Sequence, residues 1–226
     1  MVRRLLINAV NKPIIYTERH LLYKQHLESK TSVVIASGCA GTGKTMLACQ
    51  FAMNALNENR YKKLILTRPA VSVEEELGFL PGDADEKMKP WLIPMFDQME
   101  KFSNRALLGK YMKEQTIEIV PIAFMRGRTF DDTIIIADEM QNTSDHQMYT
   151  FLTRLGSGSK TIITGDTTQC DMNLRNGEDG LSVLLEKYQN MINIDDNHIQ
   201  HISFQHEDVF RSELTKYIMT MYNKIQ

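Results

Sequence analysis

The chain has 226 residues and a mass of 26.0 kDa, with 42% hydrophobic and 24% charged residues. These proportions exclude a disordered or fibrous protein and leave room for one domain with a proper core. A formal charge of −2 gives no bulk attraction to nucleic acid, so any such contact needs a local basic face.

In chain order, the opening "MVRRLLINAVNKPIIY" is basic and then apolar, without the long apolar core or small-residue cleavage site of a signal peptide. Residues 1–30 are therefore expected to pack on the domain, and 1–226 to form a single domain. Val33–Ala36 is a β-branched run and reads as a buried strand; Thr45–Asn59 follows with helical spacing. Lys63–Thr67 is a second strand. Ala70–Pro94 holds Gly78, Pro81, Gly82, Pro90 and Pro94 among acidic residues and reads as a long functional loop or small insertion. Helices are expected over Trp91–Lys101 and Ala106–Lys113, then strands over Thr116–Pro121 and Thr133–Ala137. Ser144–Leu155 reads as a helix, Thr161–Thr164 as a strand, Gly180–Tyr188 as a helix and Ile199–Phe204 as a last strand. Glu207–Tyr222 is a last amphipathic helix. This alternation predicts an α/β fold: a mostly parallel sheet covered on both faces, a three-layer arrangement that binds ligands beyond the carboxyl ends of its strands.

No run is long enough to cross a bilayer, so no membrane partner is expected. Cys39, Cys49 and Cys170 are odd in number and lack metal-ligand spacing, which points to a reducing, cytoplasmic setting. His198, His201 and His206 lie near each other, but strand geometry favours ordinary polar histidines over a metal site.

Three segments carry the chemistry. Gly38-Cys39-Ala40-Gly41-Thr42-Gly43-Lys44-Thr45 fits G-x-x-x-x-G-K-[ST] in full, between a strand and a helix. Its glycines let backbone amides turn inward at phosphate oxygens, and the helix N-terminus adds partial positive charge. Lys44 supplies a cation for the β- and γ-phosphates of ATP, and Thr45 a hydroxyl for Mg²⁺. In "TIIIADEMQN", four apolar residues carry Asp138 to a strand end, where it holds Mg²⁺ through water, and Glu139 orients the attacking water. Glu139 favours a hydrolase over a small-molecule kinase, which needs its own acceptor site. In "TIITGDTTQCD", Gln169 is placed to sense the γ-phosphate, with Gly165 and Asp166 shaping the turn.

These segments, together with "TRPAV", "LGFLPGDADEKMKPWLIPMFD", "RGRTFDDTIIIADEMQNT", "FLTRLGSGSKTIITGDTTQCD" and "EDVFR", resemble the PhoH-like family of phosphate-starvation-inducible ATPases. That family is similar to the first RecA-like domain of superfamily 1 helicases, and the resemblance covers about Val33 to Arg211. It implies a RecA-like core, ATP hydrolysis, and an association with single-stranded RNA, less so DNA, made by the core itself. Gln25 is the available counterpart of the glutamine that reads adenine in such helicases. Arg68, Arg126, Arg128 and Lys160 are the candidate nucleic-acid contacts, with ordinary solvated charge, or phosphate binding by Arg126 or Arg128, as the alternatives. Trp91 is a candidate stacking residue or a core residue.

Helicase relatives draw a transition-state arginine from a second RecA-like domain, and 226 residues suggest only one. Arg211 or Arg154 from a neighbouring subunit is therefore expected to serve, in a homo-oligomeric ring such as a hexamer. A nucleotide-dependent interaction protein with no nucleic-acid substrate is the rival expectation.

Overall fold

The computed structural model describes residues 16–69, 84–170, 179–191 and 198–210, with residues 214, 215, 217, 218 and 221. The side chains of residues 84–89 and 91 are outside that description, so the expectation for Trp91 is left there.

Six strands build one sheet: β1 (Val33–Gly38), β2 (Lys63–Thr67), β3 (Ile117–Ile119), β4 (Thr133–Ala137), β5 (Lys160–Gly165) and β6 (Ile199–Phe204). Their spatial order is β3-β2-β4-β5-β1-β6, and every pairing is parallel. The register sets Ile35 of β1 between Ile163 of β5 and His201 of β6. Because side chains alternate along a strand, each β-branched run feeds two cores. Val34, Ala36, Leu64, Leu66, Ile134 and Ile136 point to one face. There they meet α1 (Glu18–Glu28), α2 (Lys44–Asn57), α3 (Ala84–Glu100) and α4 (Arg105–Lys113). Val33, Ile35, Ile65, Ile135 and Ile163 point to the other, under α5 (Asp145–Leu152), α6 (Gly180–Met191) and the 3₁₀ turn Ile122–Met125. Both faces are covered, as the apolar runs anticipated.

Five expectations are corrected. The first concerns α1, which was not anticipated: its charges and apolar residues are not sorted by face, and only His20, Tyr23 and Leu27 are buried. Second, α3 starts at Ala84, inside the stretch expected to be loop. Pro90 and Pro94 each remove a donor, at about 3 kcal/mol in a helix interior, but Leu92, Met95 and Met99 are fully buried and hold the helix in place. Residues 70–83 lie outside the description. Third, α5 ends at Leu152, because Leu155 leaves to bridge Phe130. Fourth, at the end of the chain, the helix expected from Glu207 does not start there: His206–Asp208 is a 3₁₀ turn and Val209 is extended. Residues 214, 215, 217, 218 and 221 are helical, and the other residues of the expected helix beyond Phe210 lie outside the description.

The fifth correction is Lys160. It is 1% exposed, and its ammonium donates to the carbonyls of His26 (3.1 Å), Ser29 (2.8 Å) and Thr31 (2.9 Å). It closes the C-terminal end of α1 onto β5 and is not presented to a nucleic-acid strand. Burial lowers its pKa to about 8, with Glu28 opposing and Arg60 adding to the shift. Lys160→Met keeps the bulk but strips those carbonyls of their donor. It should lower unfolding free energy in urea by about 2–4 kcal/mol, with the α1 amides losing hydrogen-exchange protection. An unchanged midpoint would refute this role.

Candidate nucleotide site

Parallel strands bring the carboxyl ends of β1, β2, β4, β5 and β6 to one edge, where the motifs fall. β1 ends at Gly38, whose φ of +107° is open to glycine and whose missing Cβ leaves space for the Phe204 carbonyl of β6. Gly43 has φ +86°, and a Cβ there would meet the Phe210 ring at 2.8 Å. The Phe210 amide donates to the Gly41 carbonyl (2.9 Å), so the segment after β6 braces the loop. Lys44 opens α2, is 8% exposed, and donates to the carbonyls of Gly38 (2.5 Å) and Cys39 (2.8 Å). Burial lowers its pKa, while Asp166, Glu139 and Asp138 act in the opposite sense.

Asp138 follows β4, its amide held by the Thr67 carbonyl (3.0 Å). Its Oδ1 accepts from the hydroxyl of Thr45 on α2 (2.8 Å) and from that of Thr164 on β5. Glu139 adopts a left-handed backbone, φ 55° and ψ 40°. Its Oε1 lies 3.6 Å from the Arg68 guanidinium, and its Oε2 accepts from the Gln141 amide (2.7 Å). Asp166 keeps Oδ1 on the Thr168 amide (3.1 Å), while its buried Oδ2 has no hydrogen-bond partner. Lys44, Thr45, Arg68, Asp138, Glu139 and Asp166 share one cavity of about 470 Å³, the size of a nucleotide site.

The oxygens fit a small hard cation. A hydroxyl and a carboxylate in contact, with an unpartnered carboxylate oxygen in the same cavity, form the sparse set that suits Mg²⁺ shared with phosphates and water. No cluster of three His, Cys, Asp or Glu residues suited to a metal occurs among the described residues. His201, one of the three neighbouring histidines, bonds the Ser37 hydroxyl at 2.7 Å.

Of the remaining candidates, Ala40, Gly41 and Gln169 line the cavity. Cys39 and Thr42 shape the loop, the Thr42 hydroxyl donating to the Cys39 carbonyl (2.9 Å). Gln25 does not reach it: the residue is exposed on α1 and absent from the lining, which corrects the expected adenine contact. The α1 residue that touches the loop is His20. The Thr17 amide donates to its Nδ1 (3.0 Å), so Nε2 carries the proton to the Thr42 carbonyl (2.8 Å). Its ring stacks on Phe210, centroids 4.1 Å apart. Burial lowers its pKa, while the Thr42 bond and the Asp208 charge act in the opposite sense. The expected basic residues are not gathered. Arg68 faces the cavity, Arg126 contacts His146 (2.9 Å) on the surface, and Arg128 pairs with Glu118 (2.9 Å). Arg154 sits beyond α5 beside the Phe130 bridge, at the opposite sheet edge. Arg211 lies outside the described residues.

Thr164, Gln141, His20 and Phe210 were missed. The first two sit within the quoted segments and had a signal, a polar residue in an apolar strand and a glutamine after an acidic pair. The other two reach the loop from distant positions that spacing does not reveal.

The profile of the PhoH family, PhoH-like protein, matches residues 15–223. The chain belongs to the PhoH-like family. The PhoH-like protein of Bacillus subtilis (strain 168) is 44% identical over 195 residues, 86% of this chain and 59% of that protein. Protein PhoH of Escherichia coli (strain K12) is 37% identical over 208 residues, 91% of this chain and 57% of that one. This PhoH-like chain thus spans less than two thirds of the length of these relatives. The large terminase from a thermophilic bacteriophage shares the fold, with a TM-score of 0.57 at 12% identity, over 92% of this chain and 50% of that one. Family and site geometry agree on a P-loop nucleotide-binding domain. No helix among the described residues is long and apolar enough to cross a membrane.

Gly43→Ala adds a methyl against the Phe210 ring at an unfavourable φ. The expected result is an ATP dissociation constant raised about tenfold or more, with the far-UV spectrum unchanged. Titration with a fluorescent ATP analogue checks it.

Proposed function

We propose that this chain binds Mg·ATP and hydrolyses its β–γ bond, with single-stranded RNA as the polymer on which the cycle acts. One observation carries the hydrolytic reading. The Thr45 hydroxyl meets the Asp138 carboxylate at 2.8 Å, and Glu139, the next residue, faces the same cavity. Loop amides and the Lys44 ammonium bind the phosphates. Thr45 and Asp138 would hold the divalent cation, which lends positive charge to the β- and γ-oxygens when bound. Glu139 orients water in line with the bridging oxygen and takes its proton. Oxygen bonds to the γ-phosphorus, the bridge bond breaks towards ADP, and inorganic phosphate leaves. Gln169, exposed at the cavity mouth, contacts the γ-phosphate or the water.

An arginine from a neighbouring subunit in a homo-oligomeric ring, such as a hexamer, completes the charge on the transition state. Arg211 is favoured because it follows Phe210, which lines the cavity; Arg154 is the alternative. Arg68 supports the nucleic-acid reading, since it sits where β2 leaves the sheet and also touches Glu139. A nucleotide-dependent interaction protein is favoured instead by one observation: Arg128 is paired and Lys160 buried, which thins the basic face.

Lys44→Ala should raise the ATP dissociation constant about tenfold or more. Glu139→Gln should bind ATP normally but turn over about 10²–10⁴-fold more slowly. Equilibrium titration with single-turnover hydrolysis measures both, and full turnover by Glu139→Gln would refute the assigned role.

Single-stranded RNA should stimulate hydrolysis at low salt, and stimulation should fall steeply as salt rises. Absence of stimulation by any single strand would transfer the case to the interaction-protein reading. Mixing Arg211→Ala with Glu139→Gln chains should restore hydrolysis at interfaces that keep one sound copy of each group. A monomer at full rate excludes the shared site.

A further inference from the structure

Gln141 is 1% exposed, yet it carries an amide where an apolar side chain would fill the space without desolvation cost. Each polar atom of that amide is used. Nε2 donates to Glu139 Oε2 (2.7 Å) and to the Gln169 carbonyl (3.3 Å), while Oε1 accepts from the Asp166 amide (3.1 Å). Room for it exists because residue 165 is glycine: a Cβ there would meet Gln141 Oε1 at 2.7 Å.

We infer that Gln141 is a positioning residue that locks the Glu139 carboxylate to the Asp166–Gln169 turn, so that both sides of the γ-phosphate position move as one unit. The inference rests on the hydrolytic reading above. Glu139 has a backbone geometry that non-glycine residues adopt at a cost, and such geometry persists only where neighbours determine it. Its two carboxylate oxygens are held from different sides, one by Arg68 at the end of β2 and the other by buried Gln141. The two partners differ in kind. A neutral amide fixes the direction of a carboxylate while drawing less on its charge than a cation would, which suits a group that must accept a proton. The same amide grips the turn that follows β5, so a displacement of Gln169 at the cavity mouth is passed directly to Glu139.

Gln141→Glu keeps an oxygen for the Asp166 amide but replaces the donor with an acceptor. Gln141→Met keeps the length and removes both. In single-turnover hydrolysis of Mg·ATP, each should slow the chemical step about 10- to 100-fold. The ATP dissociation constant should stay within about threefold, and the far-UV spectrum of Gln141→Glu should show it folded at the assay temperature even if its melting temperature falls. A double-mutant cycle separates positioning from general damage: in a Glu139→Gln background, Gln141→Glu should add less than about twofold. An unmodified rate in Gln141→Glu, or the same fold loss in both backgrounds, overturns the inference. If Gln141→Met fails to fold, Gln141→Glu decides alone. Should Glu139→Gln itself hydrolyse at full rate, the hydrolytic reading falls first, which is distinct from a dead Glu139→Gln beside a fully active Gln141→Glu.

Discussion

Asp138 ties the carboxyl end of β4 to the first turn of α2, and it does so across an intervening strand. Its Oδ1 receives the Thr45 hydroxyl from one side and the Thr164 hydroxyl of β5 from the other. In the order β2-β4-β5-β1, the phosphate loop and the acidic pair sit on strands that never touch. The Thr164 hydroxyl, on the strand between them, bridges that gap at Asp138. With it, the distance between the cation ligands is tied to the spacing of the sheet itself, about 4.8 Å per strand. Thr67, Glu139, Gln141 and Asp166 take their positions from the ends of β2, β4 and β5.

Charge in the cavity is balanced before any ligand is considered. Among its described lining residues, Lys44, Arg68 and Lys101 face Asp138, Glu139 and Asp166. A triphosphate entering without a counter-ion would meet three carboxylates in a partly desolvated space, where repulsion is weakly screened. The same balance explains why burial lowers the Lys44 pKa while all three acids oppose it. The acids that would repel a bare triphosphate help keep the lysine charged.

The strands were legible because β-branched runs bounded by polar turns have few alternatives in a parallel sheet. Lys63–Thr67, Thr133–Ala137 and Ile199–Phe204 match their expected limits. The phosphate loop and acidic pair were legible because each is contiguous. What failed shares one physical origin, contact across long sequence separation. Lys160 reads as a surface cation until α1 is seen to place three carbonyls over it. Gln25 and His20 are both polar residues of α1, and only the rotation of that helix puts His20, not Gln25, on the loop. Helix α3 was obscured because two prolines outweigh, on local grounds, the burial of Leu92, Met95 and Met99.

The placement of β1 bears on how the chain is made. Its two sheet neighbours are β5 and β6, which begin at Lys160 and Ile199, while β1 itself ends at Gly38. During synthesis the phosphate loop therefore leaves the ribosome well over a hundred residues before any strand can pair beside it. The Phe210 ring that covers Gly43 arrives later still. Closing such distant partners is slow, since loop entropy is lost before the contacts are gained. A nascent chain truncated before β5 would expose the apolar edge of β1 with nothing to pair it. The nucleotide loop, written near the start of the sequence, becomes competent only among the last parts of the described fold to be completed.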